Sequence, residues 1–214
     1  MKHDMRPAVV GAFPLLGGRP CLNLIATLGR RHADPVERLP DVHALARWLA
    51  AAELLPDGTE PGLLAVSPDQ LRAARELREA ANRLVRTGLT RQPTDSTSHG
   101  GGYGQADIML VNELATWPDP VPQLGPPGDA GHQLRWAAQQ PVEAALSAVA
   151  RDTVLLLAGP QTLRVKECAH PDCSLLFLDD SQAGRRRWCS MDRCGNLSKV
   201  TTYRSRRQTS EGHR

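Results

Sequence analysis

Leucine, alanine and valine recur every three to four residues along four stretches of the chain, and each stretch predicts an amphipathic helix. In the first, Val42, Leu45, Leu49 and Ala52 follow Asp41, a natural capping residue, and the pattern runs to about Leu55. The second opens on Ser67-Pro68-Asp69-Gln70, which supplies a cap, a proline at the first helical position and the glutamine of a capping box. Leu71, Ala74, Leu77, Ala81 and Leu84 form its stripe, and Gly88 reads as its stop. The opposite face carries Arg72, Arg75, Glu76, Glu79 and Arg83, which is most simply a solvated surface. A third helix holds Ile108, Val111, Leu114 and Ala115 on one side. The fourth starts near Pro141, carries Val142, Leu146, Val149 and Val154, and ends at Gly159-Pro160. Its Leu155-Leu156-Leu157 run predicts an end buried on most sides.

Residues 13–29 (FPLLGGRPCLNLIATLG) read as a strand or hairpin with a turn at Gly17-Gly18, a short helix being the alternative. Residues 91–104 are a loop rich in Gly, Ser and Thr, and its triple glycine lacks the dinucleotide and P-loop patterns. A Pro/Gly-rich connection, residues 117–131, separates the third and fourth helices. Residues 1–160 therefore read as a mainly α domain with a small extended element. Composition agrees: 41% of residues are hydrophobic but only 4% aromatic, which favours helices built from Leu, Ala and Val over a β-sandwich. No apolar run reaches the length of a membrane span and the N-terminus lacks a signal-peptide pattern, so the expectation is a cytoplasmic protein without a membrane partner.

Residues 161–214 differ in kind. Four of the five cysteines fall here, as Cys168-x4-Cys173-x15-Cys189-x4-Cys194. In a reducing compartment two such pairs hold metal more readily than disulfides, and four thiolates match one structural, tetrahedral Zn²⁺ per chain with no vacant position. Residues 175–179 (LLFLD) and 185–189 (RRRWC) read as two strands joined by a turn through residues 180–184. Ser190 and Asp192 are candidate caps for a helix whose first turn holds Cys194. Knuckle, β-hairpin and helix in that order make a treble-clef-like zinc finger. His170 is read as a knuckle residue beside the metal, although it is a possible ligand. Cys21, alone in an apolar stretch, is read as a small core residue.

Charge is unevenly placed. The chain carries +3 overall, yet from residue 181 onward nine Lys/Arg face only Asp192 and Glu211, a balance of +7. The rest must then carry −4, and this asymmetry points to a polyanion partner. In a strand, Arg185 and Arg187 would share the face of Cys189, offsetting the anionic zinc centre, while Arg186 would join Trp188 on the other. Beyond the fourth cysteine, Lys199, Tyr203, Arg206 and Arg207 recur at helical spacing as a basic stripe, with Leu197 and Val200 turned toward the zinc core. Arg185, Arg186, Arg187, Arg193, Lys199, Tyr203, Arg204, Arg206 and Arg207 are the candidate nucleic-acid contacts.

The segment CAHPDCSLLFLDDSQAGRRRWCSMDRCGNLSKVTTYRSRR resembles the CGNR-type zinc finger, carried by its C-x4-C, RRWCSM and CGN elements. The upstream GGRPCLNLIATLG and the helices after it resemble the companion domain called ABATE. Proteins with this pairing are bacterial and are described as stress-induced transcription regulators. The resemblance implies zinc held by Cys168, Cys173, Cys189 and Cys194 and DNA binding through the finger. Two departures stand out. The signature arginine is Leu197 here, and the family's LDFVNT-like stretch reads Leu22-Asn23-Leu24-Ile25-Ala26-Thr27. Asn23 and Thr27 are the candidate ligand contacts of the N-terminal domain; the competing reading is structural, capping a helix or pinning a turn.

The leading expectation is a DNA-binding regulator with an N-terminal domain for sensing a small molecule or for homodimerisation. An RNA-binding protein stacking bases on Trp188 and Tyr203, or a protein-interaction module, are the alternatives. An enzyme ranks last: a closed four-cysteine site offers no activated water, and the chain has no H-E-x-x-H, G-x-S-x-G or P-loop.

Overall fold

The computed structural model describes residues 13–90, 104–128 and 131–197. Its first element corrects the strand reading of residues 13–29, because residues 20–25 form a helix, α1 (Pro20–Ile25). Arg19 is extended and Pro20 presets the first helical φ. Cys21, Leu22, Leu24 and Ile25 are all buried and only Asn23 is polar, so six residues leave no period to read. Gly17-Gly18 does turn: Gly18 takes φ +77°, and a Cβ at Gly17 would lie 2.6 Å from that of Leu22. Asn23 pins the bend by accepting the Gly17 N–H at 2.8 Å.

Two residue pairs, β1 (Leu28–Gly29) and β2 (Val36–Glu37), form a minimal antiparallel ladder. Helix α2 (Val42–Ala51) is capped as expected, the Asp41 carboxylate accepting the Ala44 N–H at 2.7 Å. It ends before Leu55, because Glu53 turns left-handed (φ 57°) and the Leu54 N–H bonds back to Leu49. In α3 (Pro68–Thr90) both capping-box bonds form, Gln70 N–H to Ser67 Oγ at 3.1 Å and Ser67 N–H to Gln70 Oε1 at 2.9 Å. Gly88 does not stop this helix; it sits inside it, where the chain passes Thr162.

The charged face of α3 is a second correction. Arg75 donates to the Leu39 carbonyl (3.1 and 2.6 Å), and Arg31 reaches Glu79 through both terminal nitrogens (2.7 and 3.1 Å). Arg78, with a side chain only 5% exposed, holds Glu37 in a two-bond fork and also touches Glu79. Only Arg72 and Glu76 behave as the solvated row expected, and Arg83 is exposed but paired with Asp107. The face binds residues 27–39 to the helix.

Helix α4 (Gln105–Ala115) buries Val111 and Leu114. The Pro/Gly-rich connection then folds into an antiparallel hairpin, β3 (Val121–Gly128) and β4 (Gly131–Ala137), where only a linker was expected. Pro122, Pro126 and Pro127 donate no ladder bonds and concealed it in the sequence. Helix α5 (Pro141–Ala158) ends at Gly159 as read, but its leucine run is not enclosed: Leu156 is buried and Leu155 is 67% exposed. At 100° per residue three successive side chains cannot all face one core.

A short 3₁₀ turn (Pro160–Arg164) leads into β5 (Val165–Glu167), which pairs antiparallel with β6 (Leu176–Leu178). Val165 and Leu176 enter the same apolar core as α1, α3, α5 and Trp48 of α2. The Leu178 N–H donates to Gly17 O at 2.9 Å, and Arg86 of α3 grips Glu167 of β5 with two 2.9 Å bonds. The cysteine-bearing segment is thus built onto the helical one. Among the described residues no helix is long and apolar enough to cross a membrane.

These ion pairs set an acid limit. Burial raises the carboxyl pKa of Glu37, Glu79 and Glu167, but guanidinium hydrogen bonds and charge prevail and hold all three below the ordinary value. A folded pKa below the unfolded one gives stability that is full above the unfolded glutamate value, ~4.3, and lost as pH falls through the folded value. Thermal melts should therefore drop steeply below about pH 4. Glu37→Gln should flatten that acid limb, and an unchanged limb in the variant would count against the pairing.

Candidate metal centre

The site starts where β5 ends. Cys168 follows Glu167, and its N–H bonds to Leu175 O at 2.9 Å, closing residues 168–175 into a loop. Within that loop the Cys173 N–H donates to His170 O at 2.9 Å, and His170 Nδ1 accepts the Asp172 N–H at 3.2 Å. His170 is therefore a knuckle residue. Strand β6 carries the chain away, packing Phe177, fully buried, against the cysteines.

Residues 185–189 do not form the second strand of a hairpin; β6 pairs with β5 instead. What holds residues 179–189 is a buried carboxylate. Asp179 accepts the Lys166 ammonium (2.6 Å), the Ser181 hydroxyl (2.5 Å) and the backbone N–H groups of Ser181 (3.2 Å) and Arg186 (3.0 Å). Its pKa is pushed far below the ordinary carboxylate value, chiefly by the Lys166 bond. The Arg186 N–H is thus committed to Asp179 and the Cys189 N–H to Cys168 Sγ, so neither serves a strand ladder. The expected sharing of one face by Arg185, Arg187 and Cys189 fails with the strand, since both arginines are exposed and Cys189 is buried.

The chain returns through Cys189, whose N–H points at Cys168 Sγ (3.4 Å), and Ser190 caps the next turn by accepting the Arg193 N–H at 3.0 Å. That turn, Met191–Gly195, is a wide π-type coil, with both the Cys194 and Gly195 N–H groups on Ser190 O at 3.1 Å. Gly195 is needed there, since a Cβ would meet Met191 Sδ at 2.6 Å and the Trp188 ring at 3.3 Å.

The four sulfurs, Cys168, Cys173, Cys189 and Cys194, lie within 4.8 Å of one another. Cys189 Sγ is 3.5 Å from Cys194 Sγ and 4.0 Å from Cys173 Sγ. A tetrahedron with Zn–S bonds of about 2.3 Å has edges of about 3.8 Å, so the donor set fits that ion. All four thiols are free, and three are buried. Without metal they must share protons. Hydrogen bonds from Cys173, Cys189 and Cys194 drive the Cys168 thiol strongly down, and the same crowding pushes Cys189 and Cys194 strongly up.

The sequence-derived contacts separate in space. Arg185 and Arg187 are exposed, Arg187 lying 5.2 Å from the Trp188 ring centroid. Arg186 turns inward: it sits 4.5 Å over the Phe177 ring and donates to Trp188 O (3.0 Å) and Cys189 O. Arg193 is half-buried in a cleft beside Arg38. Lys199, Val200, Tyr203, Arg204, Arg206 and Arg207 lie outside the described residues. Asn23 holds Gly17. Thr27, fully buried, donates to Leu24 O at 2.7 Å and accepts from Arg78 at 3.3 Å. Both therefore have internal partners, as their structural reading requires. Cys21 is a core residue with its thiol pKa raised, chiefly by burial. Sequence reasoning missed Asp179 and Arg38. Asp179 closes the LLFLD run and was visible as an acid beside a turn, whereas nothing local marked Arg38.

Four closed thiolates on a small hairpin, joined to a helical bundle, define a protein carrying a structural zinc finger. The chain belongs to the ABATE family, described as "Putative stress-induced transcription regulator", which matches residues 18–160, and residues 164–207 match the CGNR zinc finger. No curated protein gives a significant match. One zinc ion is held by Cys168, Cys173, Cys189 and Cys194; with every position filled by sulfur, it supplies folding energy and no reactive water.

Proposed function

We propose that this protein is a DNA-binding transcription regulator whose finger docks on duplex phosphates, with a binding rather than a catalytic role, in a reducing cytoplasm. The observation that carries it is the placement of Arg185 and Arg187. Asp179 anchors the loop that bears them while both side chains stay exposed. In the sequence the same segment continues past the last cysteine into a basic stretch, and the balance from residue 181 is +7. Knuckle, strand and capped turn in this order support a treble-clef-like plan. Exposed guanidinium groups on an anchored loop suit phosphate contacts, which position a protein on DNA and make binding salt-dependent.

The shared core supports a sensing or dimerising role for the N-terminal domain, because a change in the helices would be felt at β5 and β6. Arg186 is a structural tie in this account. Substituting Arg185 and Arg187 together by Ala should lower the slope of log K against log salt by about 1.8, at roughly 0.9 per lost contact. Arg186→Ala should instead weaken zinc retention. A slope unchanged in the double variant would remove this face from the interface, and preference for single-stranded RNA in a competition would favour the RNA alternative.

A further inference from the structure

A cavity of about 240 Å³ lies at the seam between the N-terminal domain and the finger. Arg30 and Arg38 line one side, Arg193 and Leu197 the other, and Cys173 and Cys194 of the zinc centre form part of its wall. Asp172, exposed, is its one acidic lining residue.

The arginines are held there by the backbone. The Arg38 guanidinium packs against Gly29, its Nη1 only 2.5 Å from where a Cβ at position 29 would lie. Arg38 reaches only carbonyls, Val36 O at 3.3 Å and Ala26 O at 3.5 Å, and pairs with no carboxylate among the described residues. Arg193 likewise has no carboxylate partner among them. Arg30 sits at φ 53°, a left-handed conformation that costs a non-glycine residue. Its Nε is buried without a partner, and its ion pair with Asp34 stretches to 4.0 Å at an exposed carboxylate.

Side-by-side guanidinium groups repel one another, and the zinc–tetrathiolate charge of −2 offsets that repulsion through space. It does not satisfy their N–H groups, since among the described residues none of the three donates to a cysteine sulfur. Among the described residues no carboxylate pairs with Arg38 or Arg193, and cationic groups gathered in one cleft favour an anionic occupant. A guanidinium presents a planar fork of donors that matches the oxygens of a phosphate better than any neutral group.

We infer that this cleft binds a phosphate group, gripped by Arg38 and Arg30 from the N-terminal domain and Arg193 from the finger. The phosphate bridges the two halves of the chain, so its arrival changes how firmly the finger is seated. It comes either from a nucleic-acid backbone or from a free phosphorylated small molecule. The inference stands apart from the DNA-binding proposal, because its first test contains no nucleic acid.

The test is calorimetric titration of the full, zinc-loaded chain with inorganic phosphate, against chloride at equal ionic strength. Saturable binding with Kd on the order of 1 mM or tighter is expected. Arg38→Gln and Arg193→Gln should each weaken it about tenfold while zinc per chain stays at one. No saturable binding by the unmodified protein, or equal binding by both variants, overturns the site. If Arg38→Gln loses zinc and phosphate does not bind the unmodified chain, the arginines serve the thiolate centre alone and the site is again overturned. A second arm identifies the source of a confirmed site. Displacement of a short duplex by phosphate, with a salt slope lowered by about one in Arg38→Gln, assigns it to the nucleic-acid backbone. Duplex binding indifferent to both assigns it to a free phosphorylated molecule.

Discussion

Cys189→Ser will release the zinc and lower the melting temperature of the whole chain, not of the finger alone. Cys189 is fully buried, and its sulfur touches those of Cys173 and Cys194, so a serine hydroxyl leaves three thiolates and no fourth ligand. Phe177 packs on the cysteines from one face of β6, while Leu176 of the same strand enters the core with α1 and α3. Collapse at the metal therefore reaches the helices through one strand. Structural zinc contributes on the order of 10 kcal/mol in isolated fingers. Even a third of that, at about 2–4 °C per kcal/mol for a chain of this size, predicts a fall of roughly 7–13 °C. Differential scanning fluorimetry with parallel zinc analysis measures it. A single transition shifted downward is expected, whereas an unaltered helical transition after zinc loss would mean the two parts fold independently.

The second large effect is expected at Arg78. Its fork on Glu37 and its contact with Glu79 join α3 to β2 at a side chain almost closed to solvent. Arg78→Met keeps the apolar stem but leaves the Glu37 carboxylate with only the Leu39 N–H as partner (2.8 Å). Glu37 itself keeps 32% of its side-chain surface in water and is rehydrated, so the loss is that of charge-assisted hydrogen bonds, about 1.5–3 kcal/mol. Arg72→Ala is the control. Its partners Asp69 and Glu76 are exposed, and pairs of that kind contribute at most about 1 kcal/mol. Urea unfolding of the two variants should separate them clearly. Equal midpoints would show that the α3 face is an ordinary solvated surface after all.

What the sequence disclosed and what it hid follow from one distinction. Asp41, Ser67 and Gln70 act on groups three residues away, so helix starts were legible from local chemistry. The four zinc ligands were legible because thiolate number and spacing are themselves the requirement of the ion. Helix α1 was hidden because it is six residues long and four of them are buried and apolar, too few to show a period. The α3 charges looked solvated because their partners, Glu37, Leu39 and Arg31, lie some 36 to 48 residues away. Arg186 belonged to a predicted strand until Asp179, from the loop before it, took its backbone N–H. Arg38 had no signal at all. Its significance depends on Gly29 beneath it and on a finger more than 130 residues later in the chain.

The most direct test of the account is a titration of random-sequence duplex DNA with the zinc-loaded protein at two salt concentrations, alongside chelated protein. The account predicts binding that requires zinc and weakens steeply as salt rises. Absence of binding at low salt, with zinc bound and the chain folded, would contradict it and leave the basic finger as a surface for some other partner.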